Sequence, residues 1–139
     1  MMSFVLPKAL RYTLIAFYVY GAMVHLANMA GWTGFDWQSA PEKWQFLDVG
    51  YLFLDLAVVA GLLTRKVWGT VLLIVAASSQ ILLYTLFRAW VLDVPPAFEV
   101  DPSDAAYLDG LLLFHAVCLG AVGLVIWHAR TARKVRSRS

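Results

Sequence analysis

Polar side chains interrupt the long apolar stretches of this chain, and their types could bind a ligand or move a proton. Imidazole, carboxylate, amide and phenol groups hydrogen-bond to carbonyl or hydroxyl headgroups, and the first two also bind metal ions. In hydrocarbon, an ionisable side chain costs about 2.5–3.5 kcal/mol on insertion scales, so each one needs a partner or a function. The candidate ligand-binding residues are His25, Asp48, Asp55, Gln80, Tyr84, Arg88, Asp109 and His115.

Three kinds of bound group are compatible with these residue types. His25 and His115, on different stretches, could ligate a haem iron, and Asp48 and Asp109 would complete a set suited to copper, zinc or iron. No metal-ligand spacing motif accompanies them. A quinone or isoprenoid is the third alternative, because lipid-soluble ligands use apolar clefts with a few converging polar groups. The chain has a single cysteine, Cys118, so dithiol chemistry within the chain is excluded.

The spacing of the polar residues places them on single helical faces. Asp48 and Asp55 are seven residues apart, and residues 80, 84 and 88 follow at intervals of four. A similar face on the first stretch carries Tyr18, Gly21, His25 and Asn28. Polar faces are unfavourable against lipid. We therefore predict that they converge in a pocket inside the bundle, towards the end opposite the arginine-rich terminus.

Several of these residues also have a purely structural interpretation. His25 and His115 could each donate a hydrogen bond to a carbonyl or carboxylate and have no further role. Arg88 and Asp109 lie near the predicted membrane surface and could simply form an ion pair with each other. Asp55 lies deeper, where it could hydrogen-bond Gln80 or Tyr84 and hold two helices together. The alternative for Asp55 is a role in ligand binding or proton transfer.

The elements that would position these residues are membrane-spanning helices. The chain of 139 residues is 61% hydrophobic and only 14% charged, with a mean hydropathy of +0.70, which excludes a water-soluble globule. Four apolar stretches, at 12–30, 44–63, 67–92 and 105–128, are each long enough to cross a bilayer. We predict one all-α domain, 1–139, an integral membrane four-helix bundle with a basic tail at 129–139.

The basic residues predict the orientation of this bundle. If both termini are cytoplasmic, all 11 Lys and Arg residues except Lys43 and Arg88 lie on the inner side. The short turn Thr64-Arg65-Lys66 makes the second and third spans antiparallel neighbours. A basic tail of this kind indicates topology and attraction to an anionic leaflet, so the lipid bilayer rather than nucleic acid is the expected partner.

The four-span plan, together with Gly61-Leu62-Leu63-Thr64-Arg65 before the inner turn, resembles the DoxX-like four-helix membrane proteins. The resemblance implies a location in the bacterial inner (cytoplasmic) membrane. It also implies an association, in some members, with quinone-linked sulfur oxidation and, in others, with complex assembly or redox homeostasis. No site residue is transferred from the family.

Two functions from different classes follow. The first is an accessory or assembly subunit of a larger membrane complex, for example a redox or respiratory one, held by a membrane-protein partner or a second copy of the chain. The second is a redox, quinone- or isoprenoid-binding, or metal- or haem-binding protein that uses the polar pocket. The residues alone do not assign a reaction.

Overall fold

The chain folds into helices joined by short loops. The computed structural model describes residues 6–136, and at 104, 105, 133, 135 and 136 it describes the backbone only. The helices are α1 (Lys8–Met29), α2 (Glu42–Leu63), α3 (Val67–Thr85), α4 (Arg88–Leu92) and α5 (Pro102–Arg136), with a turn of 3-10 helix at Pro96–Phe98. The described residues form no strand, which confirms the all-α prediction.

Four of the helices are long and apolar enough to cross a membrane. These segments are Lys8–Met29, Glu42–Leu63, Val67–Thr85 and Ala106–Ala132. Large apolar side chains remain exposed along them, including Phe53, Val75 and Leu124, which are 67%, 50% and 59% exposed. Apolar surface of this extent is typical of helices that contact lipid. The composition of the chain and the structure are therefore both typical of a helical bundle in a membrane.

The helices enclose one main apolar core. α1 packs against α2, α2 against α3, and α3 against α5. The stacked rings of Phe17 and Phe114, with centroids 3.6 Å apart, bring α5 back to α1. Buried core residues come from all four long helices: Leu14, Tyr18, Val58, Leu62, Leu73, Ala76, Cys118 and Val122. The bundle is thus closed around a shared interior.

The third apolar stretch is not one continuous helix. Its α-helix ends at Thr85, and the short helix α4 begins at Arg88. The amides of Leu86 and Phe87 both bond to the carbonyl of Leu82, at 3.0 and 3.2 Å, which closes the end of α3. The prediction of a single polar face through Arg88 is therefore wrong beyond Tyr84. At the other end of the chain α5 extends to Arg136, so the basic tail is helical over most of its length.

The turn between α2 and α3 depends on two glycines. A Cβ on Gly61 would overlap the backbone of Gly69, and a Cβ on Gly69 would overlap Gly61 in return. Arg65 adopts the left-handed conformation, with φ of 55°, while the amide of Lys66 bonds back to the carbonyl of Gly61 at 3.1 Å. This is the hydrogen-bonding pattern that ends many helices. It makes α2 and α3 antiparallel neighbours, as predicted.

Candidate functional site

His25 of α1 and Asp48 of α2 join at one end of the bundle. We call this the loop end, because it carries the connections at 30–41 and 93–101; the opposite end, with the turn at 64–66, is the turn end. Nδ1 of His25 lies 2.6 Å from Oδ1 of Asp48, a distance typical of a charge-assisted hydrogen bond with the ring N–H as donor. Both side chains are largely buried, at 18% and 13% exposed. The bond fixes the orientation of the imidazole.

Asp55 lies on the other side of the same imidazole. Its Oδ2 is 4.0 Å from Nε2 of His25, and the residue is only 6% exposed. Gly21 leaves the space for it, since a Cβ on Gly21 would come within 2.5 Å of this oxygen. His25 is therefore flanked by two carboxylates, one near each ring nitrogen.

The expected hydrogen bond from Asp55 to Gln80 or Tyr84 does not form. Among the described residues, no hydrogen bond joins Asp55 to either side chain, and the polar neighbour of its carboxylate is His25. The reason is the direction in which Asp55 points: its carboxylate fills the gap opposite Gly21 on α1. This carboxylate therefore joins α2 to α1, not to α3.

Tyr51 is a part of the site that the sequence analysis missed. Its ring stacks on that of His25, with centroids 6.2 Å apart and planes inclined by 15°. The phenol hydroxyl donates to Oγ of Ser79 on α3 at 3.1 Å. Asp48, Tyr51 and Asp55 are spaced three and four residues apart, so the helical face that contains the two aspartates also contains this tyrosine.

A cavity of about 590 Å³ opens beside the His25–Asp48 pair at the loop end. Its size lies within the range typical of small-molecule sites. Of the eight candidate residues it contains His25, Asp48 and Tyr84. The remaining walls are mostly apolar or aromatic: Asn28, Thr33, Gly34, Phe35, Trp44, Leu47, Tyr51, Val91, Leu92, Val100, Tyr107 and Leu108. The predicted convergence of polar residues thus holds in this cavity for His25, Asp48 and Tyr84, whereas Asp55 and Gln80 do not line it.

Two side chains from the start of α2 hold α4 over this cavity. Nε1 of Trp44 donates to the carbonyl of Val91 at 2.9 Å, and Nζ of Lys43 donates to the carbonyls of Trp90, at 2.5 Å, and Asp93. The last carbonyls of a helix have no partner within it, so they are free to accept these bonds. Val91 is thereby placed in the cavity wall.

The other candidate residues do not line the cavity. Arg88 and Asp109 form an ion pair between α4 and α5, with side chains 32% and 61% exposed, which is the contact that their structural interpretation predicts. His115 is 4% exposed, and its Nδ1 lies 2.7 Å from the carbonyl of Leu111. Its ring is surrounded by Phe17, Tyr18 and Phe114.

His25 and His115 therefore do not form a shared ligand set. His115 contacts Tyr18, and a rise of about 1.5 Å per residue places His25 about 10 Å farther along α1. A single haem iron needs both rings at one depth. Within the described part of the chain, no group of three or more His, Cys, Asp or Glu side chains is arranged to hold a metal ion.

Comparisons with protein-family models, with curated proteins and with solved structures give no match to this chain. The resemblance to DoxX-like proteins remains a prediction from the four-span plan and the residues before the turn. What the protein does must be inferred from the geometry of its loop end.

Proposed function

We propose that the protein binds a lipid-soluble ligand with a carbonyl or hydroxyl headgroup, of the quinone or isoprenoid class, in the loop-end cavity. One observation carries this proposal: the hydrogen-bonded pair His25–Asp48 lines a cavity whose walls are otherwise mostly apolar. Apolar walls favour the ring and tail of such a ligand, while a few fixed polar groups orient its headgroup.

The chemistry of the cavity wall favours a neutral planar headgroup over a charged metabolite. Among the described residues no lysine or arginine lines the cavity, so an anionic ligand would face Asp48 with no permanent cation in the wall. Phe35, Trp44 and Tyr107 line the cavity, and aromatic residues are suited to contacts with a flat ring. The Tyr84 hydroxyl makes no hydrogen bond within the described residues, and it is therefore available as a donor to a ligand oxygen.

Binding is tested on the full chain purified in a neutral detergent. Decylubiquinone, a short-chain quinone, is titrated while the fluorescence of Trp44 and the other tryptophans is followed, and calorimetry supplies an independent affinity. Asp48→Asn and Asp109→Asn form a matched pair, since both exchange an aspartate for its amide but only Asp48 lines the cavity. We expect the first to weaken binding about tenfold and the second less than about twofold.

Two results would overturn the proposal. One is the absence of saturable quinone binding to the unaltered chain. The other is equal affinity of the Asp48→Asn and Asp109→Asn variants, because the polar pair would then contribute nothing to recognition.

An accessory or assembly subunit is the second candidate function, and the exposure of α5 favours it. Only 17% of the apolar spanning segment of α5 is buried within the structure, against 28–33% for the other three spans. Gly120 and Gly123 on α5 have open space where a Cβ would lie, so another helix could approach closely there. A membrane-protein partner or a second copy of the chain would cover this face.

Purification in a gentle detergent followed by native mass spectrometry tests the subunit function. We expect a stoichiometric complex that Gly120→Leu disrupts, since the larger side chain prevents close approach of a helix. Gly50→Leu on α2, which also faces open space, is the matched control and should leave the complex intact. A protein that runs as a single chain before any substitution contradicts this candidate.

We place both termini in the cytoplasm and the protein in a bacterial inner membrane, on the distribution of basic residues and the family resemblance. Single cysteines at Ser39, in the loop end, and at Thr131, near the end of α5, test the orientation in a Cys118→Ala background. A membrane-impermeant maleimide should label the cysteine at 39 in intact spheroplasts and the one at 131 only after lysis. The reverse pattern inverts the topology.

A further inference from the structure

Within the described part of the chain, the turn end of the bundle contains a buried arginine without an acidic partner. Arg11 of α1 is only 5% exposed, and its guanidinium forms no ion pair or hydrogen bond with any residue of the described range 6–136. Its recorded contact is with the ring of its neighbour Tyr12, 5.1 Å from the centroid. Because a buried cation is unfavourable unless it is paired and hydrogen-bonded, this position favours an anion.

Further basic groups surround the same point. Arg11 lines a narrow cavity together with Arg65, Lys66 and Thr70. The cavity measures about 10 Å³, which is room for a single water-sized group such as one phosphate oxygen. Arg65 and Lys66 are exposed at its mouth, where they would face the remaining oxygens.

The start of α3 adds to the positive potential. This helix has no acidic residue in its first turn, and no side chain caps its N-terminus at Lys66. The first amides of a helix have no partner within it and favour an anion in front of them. Arg65, just before this N-terminus, has a left-handed backbone with φ of 55°. Glycine is the residue that usually adopts this conformation at the end of a helix.

We infer that the turn end binds a phosphate group, carried either by a phospholipid headgroup or by free phosphate. The guanidinium of Arg11 donates charge-assisted hydrogen bonds to the phosphate oxygen that enters the cavity, and Arg65 and Lys66 neutralise the charge of the oxygens at its mouth. The site lies at the opposite end of the bundle from the loop-end cavity, so this inference does not depend on the proposed function.

Two probes distinguish the sources of the phosphate. The full chain in a neutral detergent is titrated with inorganic phosphate and, separately, with dihexanoyl-phosphatidylglycerol, while the thermal midpoint is measured. A rise with the lipid alone assigns a headgroup, whereas an equal rise with both assigns the phosphate itself. Native mass spectrometry then counts the lipid that stays bound. If neither probe raises the midpoint, the inference is overturned.

Substitutions locate the site. Arg11→Met should weaken binding about tenfold, because it removes the charge-assisted bonds. Arg130→Met is the matched control, since it removes the same charge from an exposed position on α5 and should change the affinity less than about twofold.

Arg65→Gly is a second variant that tests phosphate binding if Arg11→Met folds poorly. Glycine suits the left-handed backbone at this position, so the variant should fold at least as well as the original chain. We expect it to weaken phosphate binding several-fold. If Arg11→Met and Arg65→Gly both bind the probes as well as Arg130→Met does, the basic cluster is not a phosphate site.

Discussion

Gly21 of α1 lies directly against the carboxylate of Asp55 on α2, so closely that a Cβ at position 21 would come within 2.5 Å of Oδ2. The missing side chain is what gives a nearly buried carboxylate room between two apolar helices. It also sets Asp55 next to His25, whose Nε2 is 4.0 Å away. The glycine on one helix and the polar group on the other therefore belong to one packing arrangement.

Gly21→Ala should destabilise the protein by about 1 kcal/mol, because the new methyl group displaces the end of the Asp55 side chain from its place beside His25. The thermal midpoint in detergent is the measurement. Gly50→Ala is the control, since a Cβ there meets nothing within 4 Å and alanine favours a helix more than glycine does. Equal thermal midpoints for the two variants would contradict the close packing of Gly21 against Asp55.

Asp48 and Asp109 should differ in their contribution to stability. Asp48→Asn weakens a largely buried bond to His25, and we expect a loss of about 1.5–3 kcal/mol. Asp109→Asn breaks an exposed pair with Arg88, which should cost at most about 1 kcal/mol. Unfolding in a denaturing detergent titration measures both. A larger loss of unfolding free energy for Asp109→Asn than for Asp48→Asn would contradict a stabilising role of the buried His25–Asp48 bond.

Arg65→Gly should stabilise the unliganded chain by about 0.5–1 kcal/mol, because glycine adopts the left-handed backbone without steric cost. The neighbouring change Thr64→Gly is expected to do the reverse. Thr64 has an ordinary helical backbone, and its hydroxyl donates to the carbonyl of Ala60 at 2.8 Å. Thermal midpoints in phosphate-free buffer compare the two. A loss of stability in Arg65→Gly would mean that the arginine side chain stabilises the turn itself.

Trp44→Phe should loosen α4, since it removes the indole donor to the carbonyl of Val91 while keeping an aromatic ring in the cavity wall. We expect hydrogen exchange of the α4 amides to accelerate about fivefold, in line with the loss of about 1 kcal/mol for one hydrogen bond. Trp68→Phe at the turn end is the control. Equal exchange of α4 in both variants would remove Trp44 as its anchor.

The apolar stretches and the polar spacings were sufficient to predict a large part of this structure. Hydropathy locates all four spans because each must fill the thickness of a bilayer with apolar residues. Asp48 and Asp55 share a face because a helix repeats every 3.6 residues. His25 faces the same interior because a polar group is unfavourable against lipid.

The remaining features depend on contacts between distant residues, which no local pattern contains. The break between α3 and α4 has no proline or glycine at residues 85–88, and donors from Lys43 and Trp44, more than forty positions earlier, hold α4 in place. The direction of Asp55 depends on Gly21 of another helix. The separation of His115 from His25 follows from how α5 packs against Phe17 and Tyr18.

The interlocked glycines at the turn end have a mechanical consequence. With Gly61 and Gly69 in backbone contact, α2 and α3 cannot slide or separate where they are joined, so any divergence of their axes must increase with distance from that point. The widest separation then falls beside Asp48 and Tyr84. Entry of a bulky ligand would accordingly need only a small change in the angle between α2 and α3 at the loop end, while the turn end keeps its shape.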